Sequence, residues 1–226
     1  LSKRSRNRKG KIVVEQLSAK KAIRYNKILQ TAIDLFCKKG YEKTSLSEIV
    51  AKSGGSLSTI YEYFGDKERL FYTILEREIS DFNESLQAEI SITHEPNLRD
   101  FLVKFGEIFI NKIFDKRAFA LYKIAFSESF RNGENVAKFF RKFGIELIHN
   151  KLANFFRKQE ALNSNSSSKF KTQNFELLSS CFLSMVNPEF EFNTIILQQD
   201  ISVLREQRLQ NINLVVDIFL GGIKTN

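Results

Sequence analysis

The apolar positions of this chain recur every three or four residues, which is the period of an amphipathic α-helix. The pattern is continuous from Ser18 to Lys39, where two lysines and Gly40 provide a helix end. It returns in six later segments, which are bounded by polar residues, asparagine, glycine or proline and span residues 66–86, 98–113, 119–130, 136–157, 175–186 and 203–220. The pattern predicts helices in all seven segments.

Two shorter helices are predicted between the first and second of these segments. Ser45 and Glu48 have the spacing of a capping box, and the helix that they begin stops at the Gly54-Gly55 pair. Glycines supply the left-handed backbone that a tight turn requires, and Ser56 then caps a helix to about residue 64. Its inward positions are predicted to be Ile60, Tyr61 and Phe64. Two short helices joined by such a turn form a helix-turn-helix.

Composition favours an ordinary soluble helical protein. The chain has 226 residues, of which 42% are hydrophobic, with two prolines, 22 phenylalanines and no tryptophan. Because no window approaches 18 uncharged apolar residues and no apolar stretch follows the basic N-terminus, we expect a cytoplasmic protein without a membrane span or signal peptide. Cys37 and Cys181 lie far apart in apolar helical surroundings, so we expect two buried free thiols.

The net charge of +9 is confined to the first third of the chain. Residues 1–67 hold 15 Lys/Arg and six Asp/Glu, whereas residues 68–226 hold 20 of each. This asymmetry predicts a polyanionic partner for the first third, either nucleic acid or an anionic membrane surface. Six of the basic residues fall within the first eleven positions, so residues 1–17 are predicted to form a flexible basic arm. The arm either contacts DNA phosphates or the minor groove, or has no role.

The predicted helix-turn-helix carries a specific motif. The run from Thr44 to Leu70 reads Thr-Ser-Leu-Ser-Glu-Ile-Val-Ala-Lys-Ser-Gly-Gly-Ser-Leu-Ser-Thr-Ile-Tyr-Glu-Tyr-Phe-Gly-Asp-Lys-Glu-Arg-Leu and closely resembles the signature of the TetR family of bacterial transcription regulators. That signature runs roughly Thr-x-x-x-Ile-Ala, then Gly-Val-Ser-x-Gly-Thr-Leu-Tyr-x-Tyr/His-Phe-x-x-Lys-Glu-x-Leu. Gly55 replaces the usual valine and Ser58 the usual glycine. We expect these departures to alter sequence preference without abolishing DNA binding.

The resemblance extends from Leu29 to Phe71, and the remainder matches the family only in length and helix order. It implies an all-α fold with an N-terminal three-helix helix-turn-helix DNA-binding unit at residues 18–66. A C-terminal helical ligand-binding and dimerisation domain would follow at residues 67–226. The implied partners are double-stranded operator DNA, a second copy of the chain in a homodimer, and a small hydrophobic or amphipathic effector.

The expected DNA contacts lie at the N-termini of the second and third helices and along the third. They are Thr44, Ser45, Ser47, Ser56, Leu57, Ser58, Thr59, Tyr61, Glu62, Tyr63 and Lys67. A leucine suits a thymine methyl, a serine suits either base type, and a glutamate either accepts from a cytosine amine or remains solvated. The resemblance implies phosphate contacts for Tyr61, Tyr63 and Lys67. The remaining hydroxyls fit helix capping, phosphate contact or both.

Candidate residues in the C-terminal region follow from its aromatic and apolar content. A pocket for an apolar or amphipathic compound would be lined by Phe101, Phe105, Phe109, Phe126, Phe140, Phe143, His149 and Met185, although each phenylalanine fits a filled core equally well. The last helix is apolar around too much of its circumference for a monomer surface. A dimer interface is therefore predicted at Phe182, Ile212, Val215, Val216 and Phe219.

The sequence favours a regulator over an enzyme. Its two histidines, His94 and His149, form no His-Glu-x-x-His motif, and we find no phosphate-binding glycine loop and no cysteine beside a plausible base. We therefore expect no catalytic residues, metal site or cofactor. A ligand that prefers one spacing of the recognition helices would release the DNA, with the fourth helix as lever. The aromatic content favours repression of a drug-efflux gene by a drug-like inducer, and control of lipid metabolism by an acyl ligand is the alternative.

Overall fold

The computed structural model describes residues 18–91, 97–131, 133–139, 141, 146–162 and 170–223. The fold is all-α, as predicted. Its helices are α1 (Ala19–Lys39), α2 (Leu46–Ser53), α3 (Leu57–Phe64), α4 (Lys67–Ser91), α5 (Leu98–Ile113), α6 (Lys116–Ser129), α7 (Gly133–Phe139), α8 (Glu146–Leu162), α9 (Phe175–Val186) and α10 (Ile201–Ile223), with a π-helical turn at Phe192–Ile196. The predicted basic arm, residues 1–17, lies outside the described residues.

The helix periods in the sequence predicted most of these elements. The bounds of α1 and α9 agree with the prediction to within one residue, and α10 extends the predicted segment by two or three residues at each end. Within the single helix expected over residues 136–157, the described residues form α7 and α8, and the continuity of the predicted helix stays a prediction. Residues 140 and 142–145, between these helices, lie outside the described part of the chain.

Short polar side chains begin several helices by accepting hydrogen bonds from backbone N–H groups that lack a partner within the helix. Asp115 accepts from the N–H groups of Arg117 and Ala118 at 3.0 and 2.9 Å, so α6 begins three residues before the predicted start. Asp66 accepts from the N–H of Arg69 at 2.7 Å and begins α4, as predicted. The local sequence therefore determines where the helices begin.

The chain divides into two compact units, of which the first comprises residues up to 78 together with 120–124 of α6. Its core is formed by one face of each helix, and aromatic rings make up much of it. The ring centroids of Tyr25 and Phe64 are 4.8 Å apart, and Phe36 meets Phe71 edge-on at 5.7 Å. These contacts join α1, α3 and α4 around the buried Ile60. This core holds α3, which at eight residues is too short to be stable alone.

The second unit comprises residues 79–119 and those from 125 onward. Phe182 of α9 is fully buried at its centre and contacts Phe105 of α5 and Phe219 of α10, with ring centroids 6.4 and 5.2 Å apart. Phe156 of α8 lies 6.0 Å from the same Phe219 ring. A continuous aromatic core therefore joins α5, α8, α9 and α10. The predicted functional division at residues 66 and 67 stays a prediction.

Helices α5 and α10 approach each other closely at Gly106. A Cβ placed on this glycine would lie 2.5 Å from Cδ1 and 3.1 Å from Cγ1 of Ile212. Real Cβ atoms do not approach other atoms at 2.5 Å, so the isoleucine occupies the space that a side chain at position 106 would need. Glycine at this position thus permits the packing of α10 against α5.

Two expectations drawn from the composition concern the thiols and membrane-spanning helices. The predicted burial of both thiols is wrong, because Cys37 and Cys181 are exposed. Each lies on an amphipathic helix at a position just outside the buried stripe, and the sequence period does not separate such positions sharply. Among the described residues, no helix combines the length and apolarity needed to cross a membrane.

Candidate functional sites

The first turn of α3 presents a cluster of three hydroxyl groups. Ser56 caps the helix by accepting from the N–H of Thr59 at 3.3 Å. Its Oγ also lies 2.7 Å from the Oγ of Ser58 and 3.0 Å from the Oγ1 of Thr59. Hydroxyl groups beside free N–H groups at a helix N-terminus form a surface that favours anions such as phosphate.

One side of α3 faces solvent while the other holds it in the core. Leu57, Ser58, Tyr61 and Glu62 are exposed, whereas Ile60 and Phe64 are buried. The prediction that Tyr61 faces inward is wrong, because 54% of its surface is exposed. Positions 57 and 61 are four residues apart and share one face, and positions 60 and 64 share another. We call the four exposed residues the reading face.

Tyr63 stands at the edge of this helix, between the surface and the core. It is half-buried, and its ring centroid lies 5.7 Å from that of the buried Tyr25. Burial and the neighbouring Glu62 carboxylate raise the pKa of the Tyr63 hydroxyl, while the positive charge of Arg24 acts in the opposite direction. The hydroxyl therefore stays protonated at neutral pH and remains a hydrogen-bond donor.

The predicted contacts around the start of α2 do not all reach the surface. Ser45 and Ser47 are exposed, and Ser45 accepts from the N–H of Glu48 at 3.1 Å. Thr44 is buried, and its hydroxyl donates to the carbonyl groups of Gly40 at 2.9 Å and Leu35 at 3.3 Å. Thr44 closes the turn after α1, so the prediction that it contacts DNA through its side chain is wrong.

The capping box at α2 is half formed. The carboxylate of Glu48 contacts Lys39 at 2.6 Å and Lys52 at 3.6 Å. The hydrogen bond from Lys39, with the charge of Lys52, holds the pKa of this carboxyl below its ordinary value. Glu48 therefore forms an ion pair that links the end of α1 to α2, instead of the predicted capping hydrogen bond.

Lys67, at the start of α4, is held near the turn between α1 and α2. Its Nζ donates to the carbonyl of Glu42 at 3.4 Å and lies 4.2 Å from the ring centroid of Tyr41. Such a cation–π contact orients the ammonium group while leaving it charged. Lys67 is half-buried, and its contact with a DNA phosphate stays a prediction.

Sequence reasoning missed one residue of this surface, Arg24 of α1. Its Nη1 would lie 2.5 Å from a Cβ on Gly55 and 3.8 Å from a Cβ on Gly54, so the guanidinium rests on the glycine turn between α2 and α3. Both glycines have positive φ, 75° at residue 54 and 109° at residue 55, as the turn prediction requires. The sequence signal that could have indicated Arg24 was Gly55, because glycine in place of the usual valine leaves space for a side chain from elsewhere in the chain.

The predicted pocket residues that the structure describes differ in burial. Phe101 and Phe105 are buried, and the Phe101 ring stacks on Phe155 with centroids 3.4 Å apart. Phe109, Phe126, His149 and Met185 are half-buried, and Phe140 and Phe143 lie outside the described residues. Burial lowers the pKa of His149, which favours the neutral imidazole. Phe101 and Phe105 therefore fill the core rather than line a space.

The second unit has a cleft at another place. It measures about 570 Å³, which falls within the range of small-molecule sites, and α4, α5 and α10 contribute to its wall. Phe82, Ile108 and Leu209 supply apolar surface, and Asp81, Lys104 and Glu107 supply charge. None of the predicted pocket residues lines this cleft, so the predicted aromatic pocket stays a prediction.

Most of the predicted dimer residues are buried within the single chain. The residues Phe182, Ile212, Val216 and Phe219 are buried in the chain's own core, and Val215 is half-buried. The apolar residues that α10 exposes are Val203, Leu214 and Ile218. These three lie within about 60° of one another around the helix, so they form one apolar face, which we call the outer face of α10.

The hydroxyl of Ser56 can cap α3, contact phosphate or do both, and two substitutions separate these roles. Ser56→Ala should lower the free energy of unfolding by about 1 kcal/mol, whereas Ser56→Asp should preserve it, because aspartate is an equally good cap. Ser56→Asp should nevertheless weaken DNA binding at least tenfold by placing a carboxylate against phosphates. Urea unfolding and duplex titration measure the two effects.

The matched control is Ser127→Asp, which makes the same charge change at an exposed position of α6 in the second unit. It should leave DNA affinity unchanged. Equal DNA affinities for Ser56→Asp and the native protein would show that Ser56 acts only as a cap.

Comparison with known sequences supports the geometry of the first unit. Residues 28–73 match the model of the bacterial regulatory proteins of the tetR family. The HTH-type transcriptional repressor ComR of Escherichia coli is 33% identical over 87 residues, which cover 37% of this chain and 41% of ComR. Five curated relatives are matched over only 27–41% of their own lengths, so the similarity in sequence is partial.

Comparison with solved structures extends over nearly the whole chain. A protein of Mesorhizobium loti assigned to the TetR family of transcriptional regulators superimposes with a TM-score of 0.76 at 21% identity, covering 92% of this chain and all of that one. The flavonoid-responsive regulator FrrA superimposes with a TM-score of 0.66 at 24% identity, covering 90% and 98%. The sequence of residues 28–73 is therefore similar to the tetR-family regulatory proteins, and the chain shares the fold of these solved structures.

Proposed function

We propose that the protein is a DNA-binding transcriptional regulator whose α3 reads base edges in the major groove. The observation that carries this proposal is the reading face. Its four side chains are exposed, while the opposite side of α3 is buried in the core. A recognition helix needs this combination, because base contacts specify sequence only when the helix is held in a fixed orientation. The exposed hydroxyls at the starts of α2 and α3 would hold the flanking phosphates.

We further propose a homodimer, in which the outer face of α10 meets a second copy. Leu214 and Ile218 are 58% and 57% exposed on a helix that already buries another apolar stripe in its own subunit. Continuous apolar surface of this kind favours association. A dimer would present two recognition helices to two half-sites, about one helical turn of DNA apart or a multiple of it.

The proposed effector site is the cleft in the second unit. A ligand that binds one conformer of the dimer more tightly would change operator affinity by that difference in binding free energy. The cleft is partly charged, and Phe101 and Phe105 fill the core, so the aromatic argument for a drug-like effector loses its main support. An amphipathic ligand fits this wall better than a purely apolar one. Tight ligand binding with unchanged operator affinity would contradict this linkage.

The test of the proposed function is selection of random duplex DNA by the purified protein. We expect an enriched pseudo-palindrome, bound with a steep dependence on salt concentration because phosphate contacts release counterions. The double variant Tyr61→Phe, Lys67→Ala should bind the enriched duplex more weakly than the native protein does. Lys158→Ala, a change at an exposed position of α8, should bind it normally. Equally weak binding to all duplexes would refute sequence-specific regulation.

A further inference from the structure

In the first unit, the side chain of Arg24 occupies the space that a side chain at position 55 would need. A Cβ on Gly55 would lie 2.5 Å from Nη1, 3.7 Å from Cζ and 3.9 Å from Cδ of Arg24. The guanidinium and the end of its aliphatic stem thus cover the backbone of the turn between α2 and α3. Any side chain at position 55 would displace the arginine, and the φ of 109° would also strain that residue.

The position of Arg24 suits a group that contacts a partner rather than one that only fills space. Its side chain is half-buried, so part of it reaches the surface beside the start of α3. A guanidinium remains charged at every physiological pH and offers several N–H donors in one plane. Covering a glycine turn needs no charge, whereas placing a cation next to a recognition helix serves a polyanionic ligand.

A second donor lies near the same cation. The charge of Arg24 acts on the hydroxyl of Tyr63, in the last turn of α3. The ring of Tyr25, the next residue of α1, lies 5.7 Å from that of Tyr63. This part of α1 therefore lies along one flank of α3, from the turn that precedes the helix towards its last turn. The phosphates of DNA run along both edges of the major groove, so a helix lying in the groove has phosphates at its flanks.

We propose that Arg24 and Tyr63 form a phosphate clamp on one flank of α3, made possible by the missing side chain at Gly55. The guanidinium donates to a backbone phosphate, and the Tyr63 hydroxyl donates to the same phosphate or its neighbour. The clamp sets the register of α3 on the duplex and does not read bases. The inference rests on the proposed function, and it adds a residue of α1 to the DNA-binding surface.

The first test compares Arg24→Gln with Lys158→Gln on the duplex selected by the native protein. Arg24→Gln should reduce the slope of log affinity against log salt by about one, as loss of one phosphate contact predicts. Affinity should fall by a similar factor on specific and random duplexes. Lys158→Gln, the same charge change on exposed α8, should leave the slope unchanged. An unchanged slope for Arg24→Gln would overturn the clamp, even if that variant melts at a lower temperature.

The second test asks whether Gly55 acts through Arg24. Gly55→Ala should also lower affinity and slope, because its Cβ displaces the guanidinium. Adding Arg24→Gln to Gly55→Ala should then lower the DNA affinity and the slope little further, since the effects of substitutions at coupled residues are not additive. Full additivity would show that the two residues act separately and would overturn the proposed coupling. Failure of the native protein to select any sequence would instead refute the proposed function, so the two failures are distinguishable.

Discussion

Replacing Leu214 with glutamate is expected to convert the proposed dimer to a monomer and to weaken its binding to the selected duplex. Leu214 lies at the middle of the outer face of α10 and is 58% exposed in the single chain. In the proposed dimer, the glutamate carboxylate would be buried without a partner, which costs roughly 3 kcal/mol or more. Self-association should therefore weaken at least about a hundredfold. Sedimentation equilibrium and duplex titration would measure the two losses.

The matched control for Leu214→Glu is Phe130→Glu. Phe130, in the same unit, is 79% exposed at the end of α6, so the two changes exchange an exposed apolar group for the same carboxylate. Phe130→Glu should leave the dimer intact. A Leu214→Glu protein that still sediments as a dimer would show that the interface lies elsewhere. A protein that is monomeric before substitution would refute the dimer itself.

Gly106→Ala is expected to destabilise the second unit. The new Cβ would stand 2.5 Å from Cδ1 of Ile212, between two helices that pack along much of their length. Overpacking of this kind lowers the free energy of unfolding by about 1–3 kcal/mol, although alanine is otherwise the better helix former. Thermal and urea unfolding would measure the loss.

Ile212→Val provides the matching partner for a double-mutant cycle. Valine lacks the Cδ1 atom that lies nearest to position 106, so Gly106→Ala with Ile212→Val should be more stable than Gly106→Ala alone. Gly133→Ala is the control, because a Cβ at Gly133 meets no atom within 4 Å and should change stability little. Equal stability of Gly106→Ala and the native protein would show that α10 shifts away without cost.

The sequence predicted the residues of the first unit better than those of the second. In the first unit, caps such as Ser56 and Asp66 act locally, and each leaves a signature within four residues that sequence analysis can detect. Thr44 was misplaced because its partners are carbonyl groups of Gly40 and Leu35, whose position depends on how the chain turns after α1. Arg24 was missed for a similar reason, since it lies 31 positions before Gly55 in the sequence.

The dimer face illustrates a different limit. Helix α10 is apolar on two sides, and its period does not reveal which side meets the chain's own core. Ile212, Val216 and Phe219 turn inward, whereas Leu214 and Ile218 turn outward, although both sets have helical spacing. The phenylalanines of α5 present the same problem, because a ring that fills a core and a ring that lines a cavity have identical sequence patterns.

The separation of roles within α3 has an evolutionary consequence. Ile60 and Phe64 hold the helix, while the side chains of the reading face contribute little to its packing. Exposed substitutions away from caps usually alter stability by less than about 0.5 kcal/mol. Mutations in the reading face can therefore accumulate without loss of folded protein. If α3 reads DNA as proposed, the sequence preference of the protein can change while the buried side of the helix stays the same.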